Sequence, residues 1–199
     1  PIWIALWMRF IQKKLVSKLM WWGLVIGLTG LVLIAQVWRG LTLDGLGVLF
    51  AVLCAFALTT YFLVGEKLVG VKSSEATMAW GLGISSAFFA IIQPWWTFPF
   101  GEMGNIVDLT GRLSGISLPT FYLVLWVILF GTAIPYFLVL NGLRGLSAAK
   151  TSSIGMLEPV LGGIFGWIFL YENLNFIQSV GVVVVLVGIF LANRARINV

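Results

Sequence analysis

Glu158 is the acid set deepest in an apolar run. It lies about nine residues into the segment 149–171, and ~1.5 Å of helical rise per residue places it roughly 14 Å from that segment's start. Acids at such depth in a bilayer are costly and usually face the interior of a helix bundle. Pro159 follows it, lacks a backbone donor and frees the carbonyl of Gly155, which predicts a kink. Two roles are open to Glu158. It could take a proton or the amine of a substrate, or it could be a structural acceptor for donors around the kink. Other polar groups fall in the middle of apolar runs: Tyr61, Ser86, Thr132, Tyr136 and Ser153. Thr132 and Tyr136 are four apart, so they share a helical face, and Pro135 between them loosens that helix. Serine and threonine in such helices often bond their own i−4 carbonyl, which gives each a structural reading as well. Trp80 and Gln93 lie nearer segment ends, where they could gate a path. The expected substrate-contacting set is Tyr61, Trp80, Ser86, Thr132, Tyr136, Ser153 and Glu158, with Pro135 and Pro159 as kinks.

Other chemistries lack their residues. The chain has no histidine and a single cysteine, Cys54. His-based triads and intrachain disulfides are excluded, and a transition-metal site is not expected. The acids are scattered over different loops, and Cys54 has no activating neighbour, which argues against an enzyme. No Gly-x-x-x-x-Gly-Lys-Ser/Thr pattern is present, so no nucleotide would drive the protein directly. No cofactor is expected. The isoelectric point of about 9.7 does not imply nucleic acid, because the basic residues sit at segment ends without a patch of interleaved aromatics.

The elements that must position Glu158 are membrane helices. Apolar residues make up 60% of the 199 and charged residues 10%, against roughly 25% charged in average soluble domains. The mean hydropathy is +1.06. Too little polar sequence remains to coat a soluble surface. Seven helical segments are predicted, near 1–12, 19–38, 43–65, 76–98, 118–142, 149–171 and 176–193. All but the first reach the ~20 residues that cross a bilayer. Trp21 and Trp22 open one span, and Trp95, Trp96 and Phe98 close another; these suit an aromatic belt, with the lining of a substrate path as the alternative. A short interfacial helix is expected near 105–114.

The chain also repeats itself. A shift of 158 residues aligns Pro1, Gly23 and Gly30 with Pro159, Gly181 and Gly188, and Val25, Leu28 and Leu33 with Val183, Leu186 and Leu191. Charge does not repeat: Arg9, Lys13, Lys14 and Lys18 align with Trp167, Tyr171, Glu172 and Phe176. Basic loops stay cytoplasmic, so two copies of opposite loop charge predict one unit inserted in both senses. A cytoplasmic C-terminus puts ten of the twelve basic residues inside, leaving Arg39 and Arg112 outside. The expected boundary divides the chain into 1–41, the end of a first repeat, and 42–199, a second repeat of five spans. A complete first repeat would need about 117 more residues upstream (158 less 41), giving ten spans in all. Gly23 with Gly27, Gly162 with Gly166, and Gly83 with Ala87 are spaced for close helix packing.

Specific stretches carry a family resemblance. Leu146-Ser147-Ala148-Ala149-Lys150, Met156-Leu157-Glu158-Pro159-Val160, Gly166-Trp167 and Tyr171-Glu172-Asn173-Leu174, then Gln178, Gly181 and Gly188, resemble the last two helices of EamA-type transporters of the drug/metabolite transporter superfamily. The resemblance implies an all-α integral membrane protein with inverted five-helix repeats around a central cavity. It implies a secondary transporter that exports a small metabolite or amino acid by alternating access from an inner or plasma membrane. The partners implied are a small-molecule substrate, membrane lipids and, as one option for assembly, a second copy in a homodimer, with no nucleic acid. A structural or lipid-handling membrane protein is the alternative function.

Overall fold

The computed structural model describes residues 1–39, 44–195 and 197–198, the last two by backbone alone. The expected boundary at 41–42 and the charge of Arg196 lie outside the described residues. The helices are α1 (Ile2–Phe10), α2 (Lys18–Ala35), α3 (Gly45–Val69), α4 (Ser74–Ile92), α5 (Thr120–Trp126), α6 (Ile134–Gly145), α7 (Ala148–Ile154), α8 (Glu158–Leu170) and α9 (Phe176–Arg194). A π-helical stretch, Val127–Ala133, makes α5 and α6 one span, and a 3-10 turn, Gly155–Leu157, joins α7 to α8. Among the described residues, six stretches are long and apolar enough to cross a membrane. Their ends follow local rules. Ser17, Ser73, Ser147 and Asn175 each cap a helix by accepting from the third residue on, which satisfies donors that the first turn leaves open. The span expected over 76–98 ends at Ile92, because Pro94 holds Gln93 in an extended conformation.

The contacts divide the chain into two units, residues 1–64 with 146–199, and residues 65–145. The first unit is built on α2 and α9. Built Cβ atoms measure how close they come. At Gly23 a Cβ would lie 2.5 Å from the amide nitrogen of Ala192 and 2.8 Å from the carbonyl oxygen of Gly188. At Gly30 it would lie 2.6 Å from the amide nitrogen of Val185 and 2.8 Å from the carbonyl oxygen of Gly181. The partner's number falls as α2 advances, so the helices run antiparallel with their backbones in contact. Only glycine permits this approach, and in lipid such packing replaces the missing hydrophobic drive. Leu24, Val185, Ile189 and Ala192 are buried about the seam. Met156, from the 3-10 turn, is buried over Gly27. Ile4, Ala5 and Met8 of α1 are also buried, while Trp3 meets Phe56 of α3 at 4.5 Å between ring centres. Strands β1 (Leu15–Val16) and β4 (Ile197–Asn198) pair antiparallel at one end.

The second unit packs α4 on α6. Gly65 faces Leu140 and Leu143, which are both buried. The connection between α4 and α5 differs from expectation. Residues 105–114 form no helix; β2 (Ile106–Asp108) pairs antiparallel with β3 (Ser117–Pro119). Gly111 at φ 65° and Gly115 at φ 95° turn the chain between the strands, a conformation costly to L side chains and open to glycine. Asp108 accepts from the Ser117 hydroxyl across the ribbon.

The other glycine spacings pack differently. A Cβ at Gly83 or Gly162 would meet nothing within 4 Å among the described residues. Gly166 is covered by the side chain of Glu172 from its own helix end. Among the described residues, none of these three glycines meets a second helix.

Candidate functional site

The kinked span α7–α8 follows from its proline. The nitrogen of Pro159 cannot donate to Gly155, and the Gly155 carbonyl accepts instead from Glu158, closing the 3-10 turn. Met156 and Val160 are buried on either side, so the turn is anchored inward at both positions. Glu158, between them, is exposed. Its carboxylate has no hydrogen bond or ion pair among the described residues. The acceptor role around the kink therefore has no donor on this unit. Ser153, on the preceding turn, is fully buried and donates to the Ala149 carbonyl at 2.6 Å. Ser152 donates to the same oxygen at 3.1 Å. On α3, Thr59 and Thr60 bond the carbonyls of Ala55 and Phe56 at 2.8 and 3.0 Å. Tyr61 stands edge-on to Phe62 with its hydroxyl buried.

The second unit holds a cavity of about 770 Å³. Ser86, Phe89 and Ala90 present one stripe of α4 to it, Gln93 follows directly after that helix, and Val124 and Ile128 come from α5 and the π-helical stretch. The connection lines the remaining side of this open cavity. Pro94 and Pro99 each precede a 3-10 turn, Trp95–Thr97 and Phe100–Gly104. These turns bring Trp95, Phe98, Phe100 and Met103 to the cavity. No charged side chain is among its lining residues. It suits a largely apolar or aromatic group with a few hydrogen-bonding atoms, the usual character of small-molecule sites. Tryptophans expected in an aromatic belt therefore separate: Trp95 lines the cavity, and Trp96 does not.

Of the expected site residues, Ser86 reaches this cavity. Trp80, on the same helix, is 69% exposed and does not line it. Thr132 is half-buried in the π-helical stretch, and Tyr136 follows exposed on α6, one residue beyond Pro135. Tyr61, Ser153 and Glu158 belong to the first unit. Sequence reasoning missed Phe89, Phe100, Met103, Val124 and Ile128. The available signal was the pair Pro94 and Pro99 among aromatics, which breaks the helix and folds the connection back.

Apolar spans with outward-facing Leu, Val, Phe and Trp side chains define an all-α, multi-pass integral membrane protein. Residues 45–194 match the EamA-like transporter family, and the chain belongs to that family. It is 23% identical over 186 residues to an uncharacterized transporter of Clostridium kluyveri, covering 90% of this chain and 55% of that protein. Identity to an uncharacterized transporter of Archaeoglobus fulgidus is 24% over 175 residues, 86% of this chain and 56% of that one. A chloroplastic WAT1-related protein of Arabidopsis thaliana is 34% identical over 83 residues, 42% of this chain and 20% of that one. The chain spans about half the length of these two uncharacterized transporters. No solved structure matches it.

Proposed function

We propose that this chain forms part of a secondary carrier that moves a small metabolite or amino acid outward by alternating access, without enzymatic chemistry. The observation that carries the reading is the symmetry of the α2–α9 seam. A Cβ at Gly23 faces the nitrogen of Ala192 and the oxygen of Gly188; at Gly181 it would face the nitrogen of Ile34 and the oxygen of Gly30, both at 2.9 Å. A shift of 158 residues turns each contact into the other. Equivalent helices packed antiparallel and self-complementary are what a pseudo-two-fold axis in the membrane plane requires. Residues 1–41 would then end one repeat and 42–199 form the next, rocking against each other around a site near the midplane. The driving energy would be a substrate or proton gradient.

Glu158 is the group we assign to the substrate amine or coupling proton, since its carboxylate is presented outward at the break in α7–α8. The test is flux in proteoliposomes made with the full-length protein that contains this chain, screened over amino acids and other small metabolites. Saturable, counterflow-competent uptake is expected. Glu158→Gln keeps hydrogen-bonding capacity and removes titration, so it should fold and lose the pH dependence of transport. An unchanged pH profile in a folded variant would return Glu158 to the scaffold.

Orientation belongs to the same proposal: an inner or plasma membrane with the C-terminus cytoplasmic. In a Cys54→Ala background, Glu102→Cys should react with impermeant reagent in intact cells, and Val71→Cys only after permeabilisation. Val71 is 86% exposed and spares the cap made by Ser73. The reverse pattern would overturn the topology.

A further inference from the structure

We propose that the α1–α2 turn is a binding site for the phosphate headgroup of an anionic phospholipid. The turn carries Arg9, Lys13, Lys14 and Lys18, and antiparallel packing brings Arg194, at the end of α9, to the same end of the seam. All but the half-buried Lys14 are exposed. No Asp or Glu occurs in residues 1–43 or 173–199, so α1, α2 and α9 carry no carboxylate. Neither Arg9 nor any of the three lysines forms an ion pair among the described residues. Arg194 lies over the ring of Phe190, 4.9 Å from its centre.

The backbone holds these charges in place. Lys13 adopts the left-handed conformation at φ 54°, and the amide of Lys14 donates to the carbonyl of Met8 at 2.9 Å. Pairing of β1 with β4 fixes the strand that follows. Apolar side chains alternate with the cations: Phe10, Ile11 and Leu15 are each more than 60% exposed. Charged heads beside exposed apolar groups, at the end of two spans, match the layered chemistry of a headgroup region. The aligned turn, at the other end of the seam, supplies an internal control. Its amide of Glu172 donates to the carbonyl of Gly166 at 3.2 Å and Tyr171 stands at φ 58°. The fold of the turn is thus kept, and the cations are replaced by Trp167, Tyr171, Glu172 and Phe176. The cluster is not needed to make the turn.

This inference does not rest on transport. The test uses the purified full-length protein in neutral detergent, with short-chain phosphatidylglycerol, short-chain phosphatidylcholine or inorganic phosphate added and thermal unfolding followed. Phosphatidylglycerol should raise the midpoint saturably, and the other two should not. Lys13→Gln with Lys14→Gln leaves Arg9, Lys18 and Arg194 to hold orientation. It should weaken the phosphatidylglycerol response about 25-fold, at about five-fold per lysine. If that variant does not fold, raising salt from low to about 0.5 M on the unaltered protein decides, since headgroup attraction is screened. An equal response to phosphatidylcholine or to inorganic phosphate, an undiminished response in the double variant, or one insensitive to salt would each overturn the proposal.

Discussion

The pair α1–α2 and the pair α8–α9 share a backbone and differ in chemistry. Both turns contain a left-handed residue, Lys13 three residues past α1 or Tyr171 directly after α8, with a six-residue return bond, Lys14 to Met8 or Glu172 to Gly166. Both second helices begin on a side-chain cap, Ser17 or Asn175. Yet one turn carries four cations, and the other carries three aromatic side chains and an acid. The difference teaches where each kind of constraint acts. Glycines at the seam are held by the partner backbone, which has no room to give. Turn side chains are mostly exposed, so no partner backbone fixes their types.

The largest effect expected is at the seam. In Gly188→Ala the new methyl would strike the backbone of Gly27 and lie 2.7 Å from the carbonyl oxygen of Gly23. The cost should be about 1–3 kcal/mol, as for overpacking elsewhere, and Gly30→Ala, its equivalent, should match it. Gly162→Ala, with open space around it, should be neutral or stabilising by about 0.5–1 kcal/mol. Thermal unfolding in detergent compares the three; equal midpoints for Gly188→Ala and Gly162→Ala would break the seam.

Caps come next and should sharpen the contrast between the copies. Asn175 and Gln178 bond each other's backbone at 3.0 Å, and the Gln178 amide also donates to the Ile34 carbonyl at 3.3 Å. The aligned residue in the other copy is Met20, which cannot reciprocate. Asn175→Ala should therefore cost more than Ser17→Ala, with both near ~1 kcal/mol. Equal losses would show that the reciprocal bond adds nothing.

The smallest effect is at the left-handed residues. Lys13→Gly and Tyr171→Gly each relieve a conformation that L side chains resist, partly offset by the freer unfolded chain. Net gains on the order of 0.5 kcal/mol with the same sign are expected. Opposite signs in the unfolding midpoints would mean that the two turns are not equivalent.

Much of this was legible in residue order. Predicted spans fall within a few residues of the observed ones at most ends, because a run of apolar residues in lipid must satisfy its backbone as a helix. The break at Gly155–Leu157 could be read from Pro159, whose ring removes one donor. The hairpin at 106–119 could not, because its strands are short and carry no clear alternation. The π-helical stretch before Pro135 left no periodic mark. Spacing alone also did not separate Gly162 and Gly166 from Gly23, since a small residue shows that approach is allowed and not that a partner is there.

By itself the sequence determined the class of protein, its helical segments and the internal match at a shift of 158 residues, because hydrophobic length and local stereochemistry act on neighbours along the chain. Tertiary structure decided which glycines meet backbone, that equivalent glycines of α2 and α9 meet equivalent backbone nitrogens and oxygens, that Glu158 is exposed, and that Trp95, Phe98 and Ser86 line one cavity. Those outcomes depend on contacts between residues far apart in the chain, and residue order does not encode such contacts until the helices pack.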